Sequence, residues 1–171
     1  MYKLKDISAI KEFMLKHRQT LSVAESVTSG HLQAAFSLAD GATEFFQGGI
    51  TAYNLGQKSR HLKVEPIHAA SANCVSEKVT EQMAIQALDL FSSDWSIAIT
   101  GYAAPIPEIG IEDLFAFYAV AYQGKLVELK KITVDREEEL YDVQVYYTNI
   151  VLSAFNKYLK KKSNNSVRTR I

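Results

Sequence analysis

The chain has 171 residues, of which 47% are hydrophobic and 22% are charged, as in an ordinary globular protein. This length favours one domain with a full hydrophobic core, and no apolar run is long enough to cross a membrane. The 19 basic and 19 acidic residues balance, but six of the bases and no acid lie within residues 157–171, which leaves about −6 on the rest. That acidic body argues against a nucleic-acid-binding core. We predict one domain over residues 1–159 and a basic, flexible tail over residues 160–171.

Cysteine and histidine usage excludes several kinds of site. Cys74 is the only cysteine, so no disulfide can form within the chain, and we expect this residue to be buried and inert. The spacing of His17, His31, His61 and His68 is not that of metal ligands, and neither phosphate-binding glycine motif, GxxxxGK[ST] or GxGxxG, is present. We expect a cytoplasmic protein without cofactor or metal, because the N-terminus lacks the apolar core of a signal peptide and cysteine is scarce.

Hydrophobic periodicity predicts the order of the secondary structure. In chain order we predict a helix ending near His17, a strand over 21–24, a helix ending near Asp40, a strand over 45–53, a short helix over 57–64, a helix over 76–91, a strand over 95–101, a loop over 102–110, a hairpin of strands over 114–122 and 126–134, and a helix over 136–161. Helices interleaved with strands and then a hairpin predict an α/β fold, a three-layer α/β/α sandwich with a mixed β-sheet.

Three predicted strand ends carry polar side chains. Ser26 follows the first strand, Tyr53 and Lys58 follow the second, and Thr100-Gly101 ends the third. In sheets of this kind, ligands bind beyond the carboxyl ends of the strands. We therefore place the candidate site at this edge of the sheet.

Ser26 by itself has three candidate roles: a nucleophile, an anion ligand, or the N-cap of the helix that follows, which is the commonest. Its combination with Lys58 and Tyr53 favours the nucleophile. A lysine in a shielded apolar pocket loses its preference for the charged form and can accept a proton from a serine near neutral pH. A tyrosine hydroxyl can relay that proton or bind the developing oxyanion. The three residues are thus a candidate hydrolytic set, with the N–H groups of the turn after Ser26 as further oxyanion donors.

Four short motifs occur in order along the chain: AESVTSG at residues 24–30, ITAYNLGQK at 50–58, VSEKV at 75–79 and ITGYAAP at 99–105. They are similar to AESCTGG, VTYSNEAK, AVSExV and VTGIAGP, the motifs of the C-terminal domain family of the competence/damage-inducible protein CinA. The resemblance covers about residues 6–158, nearly the whole chain. Tyr53 and Lys58 keep the spacing that they have in that family.

The active members of that family are nicotinamide-mononucleotide deamidases. The resemblance therefore implies an amidohydrolase of pyridine-nucleotide (NAD) metabolism, acting on nicotinamide mononucleotide or a related small carboxamide. Ser26 would attack the carboxamide, Tyr53 and Lys58 would transfer protons, and ammonia would leave before water releases the acid. A homo-oligomer is also implied. The implied substrate-binding residues are Thr28, Ser29, Gly30, Thr43, Thr100, Gly101 and Arg136.

The chain departs from the family pattern after Pro105. A glycine-rich loop followed by a lysine is replaced by IPEIGIEDLFA at residues 106–116, and Leu140 stands in place of a second family arginine. These changes motivate a second hypothesis, a degenerate family member that binds a ligand or a protein partner without catalysis. A third hypothesis is nucleic-acid binding through the basic tail.

Overall fold

A computed structural model describes residues 1–134 and 139–168 of the protein, with the last four of these described as backbone only. The helices are α1 (Leu4–His17), α2 (His31–Ser37), α3 (Leu55–Leu62), α4 (Pro66–Ser71), α5 (Glu77–Phe91) and α6 (Leu140–Arg168). The strands are β1 (Leu21–Glu25), β2 (Phe46–Thr51), β3 (Trp95–Gly101), β4 (Leu114–Tyr122) and β5 (Lys125–Val134). Short 3₁₀ turns lie at Ala42–Glu44 and Pro107–Ile109.

The strands form one mixed sheet in the order β2-β1-β3-β4-β5. β1 pairs in parallel with β2 and β3, whereas β3, β4 and β5 pair antiparallel. Helices α1, α2 and α6 pack on one face of the sheet and α3, α4 and α5 on the other. The predicted α/β fold class with a mixed sheet is confirmed.

The two faces of the sheet are built from side chains of different size, as β3 illustrates. Ile97 and Ile99 point into the core beside α1, α2 and α6, while Ala98 points toward α5. Ser96 lies on the same face as Ala98, fully buried, and its hydroxyl donates a hydrogen bond to the Ala84 carbonyl of α5 at 2.6 Å. Small side chains on this face let α5 pack close to the strands. Because β3 is buried on both faces, its apolar residues lie on both sides of the strand instead of alternating with exposed polar ones.

Helix α4 was not predicted from the sequence. Its N-cap is Glu65, whose carboxylate accepts hydrogen bonds from the N–H groups of Ile67 and His68, both at 2.8 Å. Pro66 occupies the first helical position, where its fixed φ angle suits the helix and its missing N–H costs nothing. A helix of six residues is too short for hydrophobic periodicity to indicate it.

The bounds of the last helix also differ from the prediction. Helix α6 begins at Leu140 rather than near residue 136, and it continues to Arg168 through most of the segment predicted as a tail. The ammonium of Lys162 lies 3.7 Å from the ring centroid of Tyr122 and 5.0 Å from that of Trp95. These cation–π contacts attach the basic end of α6 to the sheet. No helix in either described range is long and apolar enough to span a membrane.

Candidate active site

A cleft of about 360 Å³ opens at the carboxyl ends of β1, β2 and β3. It is lined by Ser26 after β1, by Tyr53 and Lys58 after β2, and by Thr100 and Gly101 at the end of β3. The chain leaves β1 toward one face of the sheet and β2 toward the other, which opens a crevice between the two strand ends. All three polar strand ends identified in the sequence therefore contribute to one cleft.

The closest polar pair in the cleft is Ser26 and Lys58. The Lys58 Nζ atom lies 2.8 Å from the Ser26 Oγ and also donates a hydrogen bond to the Ala52 carbonyl at 2.8 Å. This lysine lies on helix α3. The Asn54 side chain accepts a hydrogen bond from the Gln57 N–H and so fixes where the helix begins. Lys58 follows one turn later on the buried side of α3.

The environment of Lys58 disfavours its charge. Its side chain is fully buried, and this burial lowers the pKa of the Lys58 ammonium to about 8, although the nearby Cys74 thiol acts in the opposite sense. No acidic residue is found among the described residues that line the cleft. With this pKa, about a tenth of the protein carries neutral Lys58 at pH 7, which is enough to supply a general base.

The start of helix α2 is occupied by Glu25 and is not free for a ligand. One carboxylate oxygen accepts hydrogen bonds from the Thr28 hydroxyl at 2.6 Å and from the N–H groups of Gly30 and Leu32 at 3.2 and 2.9 Å. The other accepts two from Gln33, at 2.9 and 3.2 Å. A fully buried carboxylate requires such partners. Thr28 and Gly30 both donate to this buried carboxylate and neither is among the residues that line the cleft, so their contacts with substrate stay predictions.

The structure also separates the candidate roles of Ser26. The N-cap position of α2 belongs to Gly30, with a φ angle of 100°, so Ser26 is not the helix cap. Of the turn N–H groups predicted as oxyanion donors, those of Gly30 and Leu32 are taken by Glu25. The Val27 N–H has no hydrogen-bond partner among the described residues, and Val27 lines the cleft next to Ser26. Val27 is thus the candidate backbone donor to an oxyanion.

Gln144 on α6 holds the turn after Ser26 and was missed by sequence reasoning. Its side-chain amide donates hydrogen bonds to the Val27 carbonyl at 2.8 Å and to the Ser29 hydroxyl at 3.1 Å. Ser29 itself has a left-handed φ angle of 50° and is not among the residues that line the cleft, so its contact with substrate stays a prediction. No local pattern could have indicated Gln144, because 117 residues separate it from Val27.

Three further predicted residues line the cleft with different surroundings. Tyr53 is 65% exposed, and its hydroxyl has no hydrogen-bond partner in the described part of the chain. The buried Thr100 hydroxyl donates to the Cys74 carbonyl at 3.0 Å. A Cβ atom at Gly101 would collide with the carbonyl oxygen of Phe115, so this position needs glycine for close packing of β3 against β4.

Thr43 and Arg136 do not contribute to the cleft as it is described. Thr43 is exposed in the 3₁₀ turn that precedes β2, whereas the cleft lies beyond the other end of that strand. A strand of six residues separates the two ends by roughly 20 Å, so Thr43 cannot reach the cleft of its own chain. Arg136 lies outside the described residues.

Residues without a predicted role complete the cleft. Cys74, which we expected to be buried and inert, is half-buried and lines the cleft. Asn73 and Cys74 both adopt left-handed φ angles, which turn the chain at this point. Ile106 and Leu140 line its outer part. The described ranges contain no group of three or more histidine, cysteine or acidic side chains that could hold a metal ion.

The fold and the site define the molecule as a mixed-sheet α/β domain with a serine–lysine pair at the carboxyl edge of its parallel strands. The family model of the CinA C-terminal domain matches residues 5–153. The chain belongs to this family.

Relatives and solved structures agree with this assignment. CinA-like proteins of Prochlorococcus marinus subsp. pastoris and Chlorobium chlorochromatii are 33% and 32% identical over 156 and 169 residues, or 90% and 95% of this chain. The matches cover only 36% and 39% of those two proteins. The crystal structure of a competence damage-inducible protein A from Klebsiella pneumoniae has a TM-score of 0.86 at 24% identity, covering 94% of this chain and 98% of that one. At that identity the likeness shows the fold alone.

Proposed function

We propose that the protein is an amidohydrolase in which Ser26 is the nucleophile and Lys58 the general base. The observation that carries this proposal is the 2.8 Å contact between the Lys58 Nζ and the Ser26 Oγ, with a fully buried lysine whose pKa is about 8. A neutral amine has two N–H groups and one lone pair. One N–H is held by the Ala52 carbonyl, which leaves the lone pair to accept the serine proton.

The reaction proceeds in two halves. The Ser26 oxygen attacks the carboxamide carbon as Lys58 takes its proton, and the Val27 N–H stabilises the oxyanion. Lys58 then gives the proton to the leaving nitrogen, the C–N bond breaks, and ammonia departs from an acyl-serine. In the second half a water molecule attacks the ester, Lys58 again takes a proton, and the acid leaves as Ser26 regains its hydrogen.

The substrate is nicotinamide mononucleotide or a related small carboxamide, as the family resemblance implies. Tyr53 stands at the entrance of the cleft, and in this proposal its hydroxyl reaches the reacting amide only when substrate is bound. Catalytic hydrogen bonds are often incomplete without substrate, so the exposed Tyr53 is compatible with the role of proton relay or oxyanion donor.

The test is ammonia release from nicotinamide mononucleotide and from simple primary carboxamides by the purified protein and two serine variants. Ser26→Ala is expected to lower kcat/KM at least about 10³-fold, because the Lys58 amine contacts no other hydroxyl in the described part of the chain. Ser37→Ala is the matched control, since Ser37 is an exposed residue at the end of α2 whose hydroxyl donates a hydrogen bond to the Ala34 carbonyl of the same helix. Turnover by Ser26→Ala at the wild-type rate would overturn the proposal.

A second candidate function is ligand binding without catalysis. The observation that favours it concerns Tyr53, whose hydroxyl has no hydrogen-bond partner in the described residues. Of the three side chains of the candidate hydrolytic set, Ser26 and Lys58 are therefore in contact with each other, and Tyr53 with neither. Its signature is a carboxamide that raises the melting temperature of the protein while no ammonia is released from it.

A further inference from the structure

A second groove lies between strand β5 and the later turns of α6. Its volume is about 340 Å³, close to that of the cleft, and the two share no residue of the described ranges. Strand β5 lines the groove with Glu128, Lys130 and Ile132, which lie on one face of the strand because side chains two residues apart point the same way. The groove is therefore separate from the candidate active site and is formed where this face of β5 meets α6.

Helix α6 supplies the opposite side of the groove. The residues that line it recur at helical spacing and so form one stripe along the helix: Ile150, Ala154, Lys157, Tyr158 and Lys161. Ile150 and Ala154, in the earlier turns, are half-buried hydrocarbon, whereas Lys157 and Lys161, in the later turns, are exposed. Along the helix, the groove thus changes from an apolar floor to a cationic end.

The neighbouring lysines are directed to other parts of the molecule. Burial raises the pKa of the Asp6 carboxyl on α1, but hydrogen bonds and nearby cations, Lys160 among them, lower it overall, so Lys160 lies on the side of α6 that faces α1. Lys162 contacts aromatic rings of β3 and β4. Lys131 borders the groove, but its ammonium lies 4.1 Å from the ring centroid of Phe115. None of these three cations is therefore assigned to the groove.

The cations at the end of the groove lack a negative partner in the described part of the chain. Glu128 is the one acidic residue among the described residues that line the groove, and it forms an ion pair with Lys130. Its other carboxylate oxygen is buried, so this carboxylate does not face Lys157 and Lys161. Neither of those lysines forms an ion pair with a described residue. Because they are four residues apart on one stripe, their charges repel each other unless an anion lies between them.

We propose that this groove binds a small phosphate monoester with an apolar body. The two charges that a phosphate monoester carries near neutral pH match the ammoniums of Lys157 and Lys161, since lysine binds phosphate as a point charge. The apolar body packs against Ile132, Ile150 and Ala154, which removes hydrocarbon of both partners from water. This site goes beyond the proposed amidohydrolase, and neither proposal depends on the other.

The first experiment titrates the isotope-labelled, full-length protein with phenyl phosphate and follows the backbone amide signals by NMR. The signals of Ile132 and Ala154 are expected to shift and to saturate with a Kd of about 1 mM or less at about 50 mM salt. Methyl phosphate, which lacks the ring, and phenol, which lacks the charge, are each expected to bind at least about tenfold more weakly.

Three results of that titration would overturn the proposal. The first is a titration that does not saturate at about 20 mM phenyl phosphate, since a weaker interaction is not a specific site. The second is a set of shifts confined to the cleft, for example at Val27 and Gly101. The third is methyl phosphate that binds as tightly as phenyl phosphate, because the apolar floor would then have no part in recognition.

The second experiment compares two lysines that are adjacent in the sequence. Lys161→Gln is expected to weaken phenyl phosphate binding about fivefold or more, and Lys160→Gln less than about twofold, because only Lys161 lines the groove. Both residues are exposed and both variants lose one charge, so an unchanged amide spectrum without ligand is expected of each. An equal loss of affinity in the two variants would mean that only net charge matters, which contradicts a specific site.

The two proposals of function fail separately. If phenyl phosphate shifts the groove signals and the protein releases ammonia from no carboxamide, the phosphate site stands and the amidohydrolase falls. If ammonia is released in a reaction that requires Ser26, but the signals of Ile132 and Ala154 do not respond to phenyl phosphate, the amidohydrolase stands and the phosphate site falls.

Discussion

The floor of the cleft, formed by Ser26 and Lys58, differs from its mouth, formed by Tyr53, Ile106 and Leu140. The floor is buried, and the hydroxyl and ammonium there are in mutual contact. At the mouth, Tyr53 is 65% and Leu140 48% exposed, and the Tyr53 hydroxyl has no partner in the described ranges. The groups at the floor are thus fixed by the fold, whereas those at the mouth remain open to a ligand. Floor substitutions should change both stability and activity, and mouth substitutions activity alone.

The largest effect is expected from Lys58→Met, which removes the proposed base but keeps most of the side-chain volume. The value of kcat/KM for amide hydrolysis should fall about 10³-fold or more, as measured by ammonia release. Lys63→Met is the control, since it makes the same substitution at the exposed C-cap of the same helix. A loss of less than tenfold in Lys58→Met would remove Lys58 from the mechanism.

The pH dependence of the reaction comes next in size. Only neutral Lys58 can accept the Ser26 proton, and its pKa is lowered by burial to about 8. The rate should therefore rise roughly 50-fold from pH 6 to pH 8 and level off above that. A profile of kcat/KM that is flat between pH 6 and pH 8 would contradict this assignment.

Lys58 is expected to lower the free energy of unfolding near neutral pH, although it supports activity. Below pH 8 the folded protein must protonate a buried amine, at a cost of about 3 kcal/mol relative to the unfolded chain, whose lysine pKa stays near 10.5. Lys58→Met removes this cost but leaves the Ala52 carbonyl unpaired, so the free energy of unfolding at pH 7 should increase by about 1–2 kcal/mol.

The sign of this effect can be checked by pH. Between about pH 8 and pH 10.5 the unfolded chain binds the extra proton, so wild-type stability should rise with pH over that window. The advantage of Lys58→Met in urea unfolding should therefore disappear as the pH approaches 10.5. An advantage that is constant with pH would show that packing, not charge, is its source.

The smallest effect is expected at the mouth. Tyr53→Phe keeps the exposed ring and removes only the hydroxyl, so kcat/KM should fall about three- to tenfold while the melting temperature stays within 1 °C. A loss as large as that of Lys58→Met would place Tyr53 among the essential groups. A drop in melting temperature would show that its hydroxyl is bonded within the protein.

Much of the architecture could be predicted from local patterns. The strands β1 to β5 and the helices α1, α2, α3, α5 and α6 follow from hydrophobic periodicity, because an element that packs against a core repeats its apolar residues at its own period. The order of those elements also placed Ser26, Lys58 and Thr100 at one edge of the sheet. Helix α4 and the bounds of α6 were not predicted correctly, because capping by Glu65 and the cation–π contact of Lys162 with Tyr122 leave no periodic signal in the sequence.

The sequence by itself determined the layered fold, the edge that carries the site and the pairing of Ser26 with Lys58. Only the tertiary structure decided that Glu25 takes the N–H groups at the start of α2, that Gln144 holds the turn behind Ser26, and that Leu140 faces the cleft. The physical reason is that a buried polar group binds whichever partner the packed fold brings near it. For Gln144 and Val27, that partner lies 117 residues away along the chain.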